Sequence, residues 1–265
     1  MSDPVLLDIR GLTVRFGGLV ALSEVSLHVD RNQVVAVIGP NGAGKTTLFN
    51  AVCGLVRPDS GEIRCADRLL RRHRPHELTG LGIARTLQHL GLFPGLTVLE
   101  NVMVGAHRHA RAGFPSGLFA TPRSDRDESS LRQRAAAVLG ELDLSASVDR
   151  LPAQLPYGIQ KRIALARALV AEPQLLLLDE PASGLSDADM RELADLIGDL
   201  RARMSVVIVE HHMDLVMGVS DSVVVLDFGK VIAHGSPEAI REDPAVVEAY
   251  LGDEVLPEVD HAGGR

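Results

Sequence analysis

The sequence contains no tryptophan, two tyrosines and two cysteines, and aromatic residues make up 3% of its 265 residues. A core built from this composition must be mainly aliphatic, and the 46% hydrophobic content is enough to build one. Cys53 and Cys65 lack the paired spacing of a metal site. We expect both to be buried or incidental thiols in a reducing compartment rather than partners in a disulfide.

Long apolar runs and a surplus of basic residues are also missing. The runs Val34–Ile38, Leu175–Leu178 and Val206–Val209 are far shorter than the roughly 18 residues that a membrane-spanning helix needs. The first residues lack the basic and apolar regions of a secretory signal. With 27 basic against 35 acidic residues and a net charge of −8, the composition argues against nucleic acid as a partner. These absences predict a cytosolic protein.

Strands and helices alternate along the chain in the pattern of an α/β fold. Residues 6–16 and 20–29 alternate loosely between apolar and polar side chains, which predicts an antiparallel β region at the N-terminus. Val34–Ile38, Leu175–Asp179 and Ser205–Val209 have the composition of strands that are buried on both faces. Helical segments separate these strands, so we predict a mostly parallel sheet with helices on both faces.

The segment between the first two buried strands has a different texture. Residues 131–142 have helical spacing, whereas residues 109–130 are rich in Gly, Pro, Ser and charge and are predicted to form a loop. We therefore expect a single domain of residues 1–265 with an inserted α-helical subdomain. The predicted parts are a core of residues 1–87 and 158–235, the helical subdomain of residues 88–157, and a C-terminal helical tail of residues 236–265.

A glycine-rich loop, GPNGAGKT, follows the first buried strand and matches the pattern G-x-x-x-x-G-K-[ST]. Backbone N–H groups of such a loop turn inward around phosphate oxygens, which requires glycine where a Cβ would clash. The Lys45 ammonium can reach the β- and γ-phosphates, and the Thr46 hydroxyl can bind Mg²⁺. The helix that begins here also points its positive end at the same anion. The predicted phosphate-binding residues are Gly39, Pro40, Asn41, Gly42, Ala43, Gly44, Lys45, Thr46 and Thr47.

Two carboxylates, Asp179 and Glu180, stand at the end of the second buried strand. Ligands of doubly wound sheets bind at the carboxyl ends of the strands, so both side chains are expected near the phosphate loop. Asp179 is suited to hold Mg²⁺, and Glu180 is suited to orient or deprotonate the attacking water. The two motifs together predict a nucleoside triphosphatase.

Further motifs narrow this class. LPYGIQKR at residues 155–162, SGLSD at 183–187 and VEHH at 209–212 follow at spacings that resemble the nucleotide-binding domain of ABC transporters over essentially the whole chain. In that family two ATP-binding subunits pair head to tail, and each ATP lies between the phosphate loop of one subunit and a signature loop of the other. The resemblance implies a P-loop NTPase of the ABC ATPase class, with ATP and Mg²⁺ as its ligands.

The resemblance also implies roles for individual residues. Phe16 would stack on adenine, Gln88 would contact Mg²⁺ or the attacking water, and His211 would contact the γ-phosphate. With Glu180, the catalytic set would then be Glu180, His211 and Gln88, and the metal ligands would be Thr46, Gln88 and Asp179. The signature that contacts the partner's nucleotide would be Leu155, Pro156, Tyr157, Gly158 and Ile159.

The signature departs from the family pattern at two positions. The usual sequence is LSGGQ, or LSYGQ in the closest subfamily, but Pro156 replaces the serine and Ile159 the glutamine. Proline has neither the hydroxyl that contacts the partner's γ-phosphate nor a backbone N–H. The loss of one charge-assisted hydrogen bond costs about 1.5–3 kcal/mol, so we expect slower hydrolysis or weaker ATP-driven dimerisation. Ser186 likewise stands where Asp is usual in the D-loop.

The segments FGGLVAL near the start and HGSPEAIREDPAVVEAYLG near the end are similar to the LivG-like ATPases of branched-chain amino acid importers. The resemblance implies a homo- or heterodimeric ATPase partner, transmembrane permease subunits and, indirectly, an extracytoplasmic substrate-binding protein. It places the chain at the cytoplasmic face of the cell membrane, bound through the permeases. Related ATPases serve urea or short amides or export lipopolysaccharide, so the substrate stays open. The apolar residues that could line the groove for the permease are Leu92, Phe93, Leu96 and Val98.

Two alternatives belong to other functional classes. A soluble ABC ATPase of translation or DNA repair would carry a duplicated domain or a long coiled-coil insertion, and the sequence has no second phosphate loop or heptad repeat. A hydrolysis-poor regulatory subunit in an asymmetric pair is suggested by Pro156 and Ile159. Against that second alternative, the functional residues are all present: Lys45, Asp179, Glu180 and His211.

Overall fold

Two sheets form the framework of the computed structural model, which describes residues 5–86, 90–106 and 122–253, without the side chains of residues 122–127 and 251–253. The strands are β1 (Val5–Phe16), β2 (Leu19–Asp30), β3 (Val34–Ile38), β4 (Ser60–Cys65), β5 (Arg68–Leu69), β6 (Ile83–Arg85), β7 (Leu175–Asp179), β8 (Ser205–Val209), β9 (Ser222–Asp227) and β10 (Lys230–Gly235). The helices are α1 (Lys45–Val52), α2 (Val98–Gly105), α3 (Pro122–Glu141), α4 (Tyr157–Leu169), α5 (Asp187–Arg201), α6 (Met213–Val219), α7 (Pro237–Arg241) and α8 (Pro244–Asp253).

The central sheet has the order β10–β9–β3–β8–β7–β6. All of its neighbouring strands are parallel except β10, which pairs antiparallel with β9. Every residue of β3, β7 and β8 is buried, as expected for strands that are covered on both faces. The predicted bounds of these three strands and the mostly parallel sheet are confirmed.

The two faces of the central sheet are covered by different layers. Along β7, Leu175 and Leu177 pack on one face with α1 and with the antiparallel sheet, whose order is β2–β1–β4–β5. Leu176 and Leu178 point to the other face and pack with residues of α2, α3, α4 and α5. This alternation follows from the two-residue period of a strand. The predicted N-terminal antiparallel region and the helices between β6 and β7 are therefore both present.

Two predicted boundaries in the helical part were wrong. Residues 109–130 were predicted as a loop, but α3 begins at Pro122; residues 109–121 lie outside the described residues. Residues 123–130 are all polar or charged, so hydrophobic periodicity could not reveal this part of the helix. The sequence also predicts a helix from Gln160 to Ala171, but α4 begins three residues earlier, at Tyr157, with Pro156 as its N-cap, and ends at Leu169.

The C-terminal tail begins with two short helices. Each has proline at its first helical position, where proline is favoured. Ser236 caps α7 by accepting from the backbone N–H of Ala239, with Pro237 next to it, and α8 begins at Pro244. Within the described ranges, none of the helices combines the length and apolarity that would let it cross a membrane.

Candidate nucleotide-binding site

The candidate site lies at one edge of the central sheet, where its parallel strands end. β8 lies between β3 and β7, and its Val209 pairs with Val37 on one side and with Asp179 on the other. The carboxyl ends of these strands therefore lie side by side, at the edge where ligands of open α/β sheets bind. β3 leads into Gly39, β7 ends at Asp179, and β8 leads into Glu210. The topology thus brings three separate motifs to one place.

The phosphate loop folds around its own lysine. Lys45 is the first residue of α1 and is buried, and its Nζ donates to the carbonyl oxygens of Gly39 (2.6 Å) and Pro40 (2.7 Å). The backbone N–H of Ala43 donates to the same Pro40 oxygen at 3.2 Å. The positive charge and the N-terminal end of α1 therefore lie at the same point, which favours a polyphosphate. Among the other loop residues, Asn41, Gly42 and Thr46 are exposed, and Thr47 is half-buried.

Two glycines of the loop have no room for a side chain. Gly39 has φ +145°, and a Cβ there would lie 2.0 Å from the carbonyl oxygen of Leu226 on β9. Gly44 has φ +103°, and its Cβ would lie 2.7 Å from the carbonyl oxygen of Ala21 on β2. Residues with a Cβ rarely adopt such backbone conformations. The loop is therefore held between the two sheets in a shape that needs glycine at both positions.

Asp179 forms a buried ion pair with Arg85, which ends the adjacent strand β6. The distance from Arg85 Nη2 to Asp179 Oδ2 is 2.6 Å, and the side chains are 10% and 4% exposed. Arg85 Nη1 also donates to Asn50 Oδ1 on α1 at 2.8 Å, and the guanidinium lies 5.6 Å from the ring centroid of Phe49. The predicted metal-binding carboxylate is thus fixed between the sheet and the helix that follows the phosphate loop.

Glu180 has a strained backbone. Its φ of +48° lies in the left-handed region, which residues with a Cβ seldom occupy and which is found disproportionately at functional sites. The Glu180 N–H donates to Val209 O at 2.9 Å, and its carbonyl accepts from Ser183 N at 3.2 Å. Lys161 of α4 donates to that carbonyl at 3.2 Å and to Pro181 O at 2.7 Å. Strand β8 and helix α4 therefore hold the turn that carries the predicted catalytic carboxylate, and the bond from Ser183 closes the turn itself.

Glu210 links this turn to the predicted catalytic histidine. Its carboxylate is fully buried and accepts from the backbone N–H groups of Ala182 (2.8 Å), His211 (2.7 Å) and His212 (3.2 Å). Burial acts to raise the pKa of Glu210, but these donors and the His212 ring outweigh it and lower the pKa overall. His211 keeps a 54% exposed side chain beside the acidic strand end. Glu210 has no predicted role, and its only signal in the sequence is the adjacent histidine.

The predicted signature forms the N-terminal end of α4. Pro156 is the N-cap, and the first intrahelical bond runs from Gln160 N to Pro156 O at 3.0 Å. The N–H groups before it have no partner within the helix. Tyr157 is 45% exposed, Leu155 is buried, and Ile159 packs against the helical core. A helix end of this kind can accept an anion, although its cap lacks a hydroxyl.

Phe16 and Gln88 complete the predicted set. Phe16 ends β1, is 50% exposed, and pairs with Leu19 across the hairpin. The hairpin contacts the loop region through Gly229, which accepts from Ser23 N at 2.8 Å and donates to Ala43 O at 3.0 Å. Gln88 lies outside the described residues, so its role stays a prediction.

A cavity of about 430 Å³ adjoins the acidic strand end and is lined by residues that include Gly158, Lys161, Asp179 and Glu180. It connects the end of β7 with the first turn of the signature helix. A lysine-centred phosphate loop, an acidic strand end and an exposed histidine along one sheet edge define an α/β P-loop nucleotide-binding protein.

Comparison with known proteins narrows this class to a family. Residues 22–183 match the family described as ABC transporter, and residues 230–255 match the family described as Branched-chain amino acid ATP-binding cassette transporter. The chain is 42% identical over 255 residues to the high-affinity branched-chain amino acid transport ATP-binding protein LivG of Escherichia coli. It is 43% identical over 255 residues to the corresponding protein BraF of Pseudomonas aeruginosa. Each alignment covers 96% of this chain and 100% of the relative.

Solved structures that resemble this chain belong to the same family. An ATP-binding cassette of an ABC transporter in its ADP conformation superimposes with a TM-score of 0.81 at 31% identity, covering 94% of this chain and 100% of the other. A dimeric ATP-binding cassette in a post-hydrolysis state with ADP and Pi superimposes with a TM-score of 0.73 at 25% identity. The superposition covers 88% of this chain and 99% of the other. The chain belongs to the ABC transporter family, as one of its ATP-binding cassettes, a class of ATPase. The resemblance predicted from the motifs is confirmed.

Proposed function

We propose that this chain is the ATP-hydrolysing subunit of an importer for branched-chain amino acids or a related small polar substrate. The observation that carries the proposal is the match of the C-terminal residues 230–255 to the branched-chain amino acid family, together with full-length similarity to LivG and BraF. ATPase relatives that serve urea or amides, or export lipids, are the alternatives that the uptake experiment below distinguishes.

The residues present fit ATP with Mg²⁺. The phosphate loop supplies a buried ammonium and a helix end for the phosphates, and the Phe16 ring is accessible for the base. The Thr46 hydroxyl and the Asp179 carboxylate, with Gln88, offer oxygen ligands of the kind that Mg²⁺ prefers. Bound Mg²⁺ would neutralise charge on the β- and γ-phosphates.

Hydrolysis in this proposal uses the side chains that follow β7 and β8. Glu180 accepts a proton from the attacking water or orients it, and His211 donates a hydrogen bond to the γ-phosphate. Arg85 keeps the Asp179 carboxylate in a fixed position, and Glu210 holds the backbone of His211. The chain's own residues therefore mainly position the attacking water and polarise the γ-phosphate, as phosphoryl transfer requires.

The proposed partners are a second ATPase subunit, permease subunits and, through the permeases, an extracytoplasmic binding protein. The dimeric cassette supports pairing, in which the first turn of α4 would face the partner's nucleotide. Phe93 is 47% exposed and suits an apolar permease contact, whereas Val98, expected in the same groove, is fully buried and cannot line it. Binding through permeases would place the chain at the cytoplasmic face of the membrane.

Uptake tests the proposal directly. In the organism that carries the gene, we expect its deletion or the substitution Lys45→Ala to abolish high-affinity uptake of radiolabelled leucine, isoleucine and valine. The reason is that the loop lysine is required for nucleotide binding. Complementation with the wild-type gene is the control. Normal uptake of all three amino acids, with loss of urea or amide uptake instead, would reject the substrate and keep the ATPase assignment.

A hydrolysis-poor regulatory subunit remains the second candidate because Pro156 gives the cap of α4 no hydroxyl. The substitution Pro156→Ser adds one hydrogen-bonding group for the partner's nucleotide, worth about 1.5–3 kcal/mol. We expect the ATPase rate of the assembled complex to rise by at least about tenfold, which is the lower end of that range at 1.4 kcal/mol per factor of ten. The measurement is phosphate release at saturating ATP, with the same Pro→Ser change at the exposed Pro75 as the control. A rate equal to wild type would contradict the role assigned to the proline.

A further inference from the structure

Lys161 connects the signature helix to the turn that carries Glu180. It lies one helical turn after Tyr157, so both side chains share a face of α4, and its Nζ is 5.5 Å from the Tyr157 ring centroid. Its ammonium donates to the carbonyl oxygens of Pro181 at 2.7 Å and Glu180 at 3.2 Å. Helix α4 and the end of β7 are thus joined by one side chain.

The charge surroundings keep this ammonium facing the turn. Burial lowers the pKa of Lys161, while the nearby carboxylates of Glu210 and Glu180 oppose that effect. Carbonyl oxygens satisfy donors that would otherwise be costly to bury. The half-buried lysine therefore has its carbonyl acceptors and its nearby carboxylates on the segments that follow β7 and β8.

The segment held by Lys161 is strained and also packs on the signature. Glu180 has φ +48°, a conformation that is strained for a residue with a Cβ and persists only when its surroundings fix it. Further along the same segment, a Cβ on Gly184 would lie 3.1 Å from the Tyr157 ring. The first turn of α4 and residues 180–184 therefore form one packed unit.

We propose that Lys161 is a positioning residue that fixes the strained turn of Glu180 and ties it to the signature helix of the same chain. The inference rests on the proposed function, in which Glu180 activates the water for this chain's ATP and the first turn of α4 contacts the partner's ATP. A displacement of α4 at the partner's nucleotide is transmitted through Lys161 to the catalytic carboxylate of this chain. The two nucleotide sites of a dimer are thereby linked through one side chain.

The test compares Lys161→Met, which removes the donor, with Lys161→Arg, which retains it, in the full-length chain. For Lys161→Met we expect kcat of ATP hydrolysis to fall by about 10–100-fold, the cost of a misplaced catalytic group, while KM for ATP stays at the wild-type value. Lys161→Arg restores most of kcat. The exposed Lys230 on β10 provides the matched control, Lys230→Met, which leaves both constants unchanged.

Hydrogen exchange supplies a readout that does not depend on hydrolysis. We expect the amides of residues 182–185 to exchange faster in Lys161→Met than in wild type, and at the wild-type rate in Lys161→Arg and Lys230→Met. Unchanged kcat and unchanged exchange in Lys161→Met would overturn the proposal, as would a rise in KM that accounts for the whole loss of activity. If Lys161→Met does not accumulate as folded protein, Lys161→Gln, which is too short to reach both carbonyls, replaces it.

The two proposals fail in different ways. A wild-type chain without ATPase activity, in isolation and in its complex, would reject the proposed function, and the exchange data would still decide whether Lys161 orders the turn. A wild-type chain that hydrolyses ATP and loses activity with Glu180→Gln, but not with Lys161→Met, would reject only the positioning role.

Discussion

The substitution Glu180→Gln is expected to lower the rate of ATP hydrolysis by about 10²–10⁴-fold, the usual contribution of a positioned general base. Glutamine has nearly the same shape as glutamate and can occupy the same strained turn, but its amide cannot accept a proton from water. Nucleotide binding should persist because the loop around Lys45 is unchanged. Phosphate release measures the rate, and a fluorescent ATP analogue measures the affinity.

The control for this substitution is Glu172→Gln, which makes the same chemical change at a surface residue whose side chain is 63% exposed. It should hydrolyse ATP at the wild-type rate. If Glu180→Gln also retained the wild-type rate, another group would have to activate the water, and His211 would be the first to examine. If it lost nucleotide binding together with activity, the effect would be one of folding or loop structure rather than of proton transfer.

The second large effect is expected on stability, from Arg85→Met. This change leaves the Asp179 carboxylate, 4% exposed, without its ionic partner. Breaking a buried pair from one side costs about 3–5 kcal/mol because the remaining charge stays buried and uncompensated. In thermal unfolding of the nucleotide-free chain, the midpoint temperature should fall by about 6–20 °C, at roughly 2–4 °C per kcal/mol for a domain of this size.

Two further variants show whether the loss of stability comes from the buried charge or from the loss of any ion pair. Arg134→Met breaks an exposed pair with Glu172, whose side chains are 42% and 63% exposed, and should cost at most about 1 kcal/mol. The double substitution Arg85→Met with Asp179→Asn removes both charges and should recover part of the lost stability. A double variant as unstable as the sum of its single changes would show that Arg85 and Asp179 do not act as a pair.

The sequence predicted those parts of the fold that depend on the local pattern of apolar and polar residues. β3, β7 and β8 were placed with their observed bounds because every position in them except Ser205 and Asp179 is apolar. β6 was missed because it is three residues long and is a strand only through its pairing with β7. The start of α3 was missed because residues 122–130 lack the apolar periodicity that marks a packed helix.

The same distinction applies to the site. The phosphate loop and the acidic strand end are contiguous motifs, so spacing alone could indicate them. Arg85, Lys161 and Glu210 went unassigned because their roles arise from contacts between distant parts of the chain. Arg85 and Asp179 are 94 residues apart in sequence, and Glu210 accepts from an N–H that lies 28 residues earlier. No local pattern specifies such pairs.

At Glu180 the positive φ favours one kind of residue, whereas the proposed reaction requires another. Glycine or asparagine would adopt that conformation with less strain, but neither carries a group that can take a proton from water. Selection for thermal stability alone would therefore be expected to replace this glutamate. Selection for ATPase activity would be expected to keep it. With the proposed role of Glu180 as the base, this is a position where folding stability and activity are optimised by different amino acids.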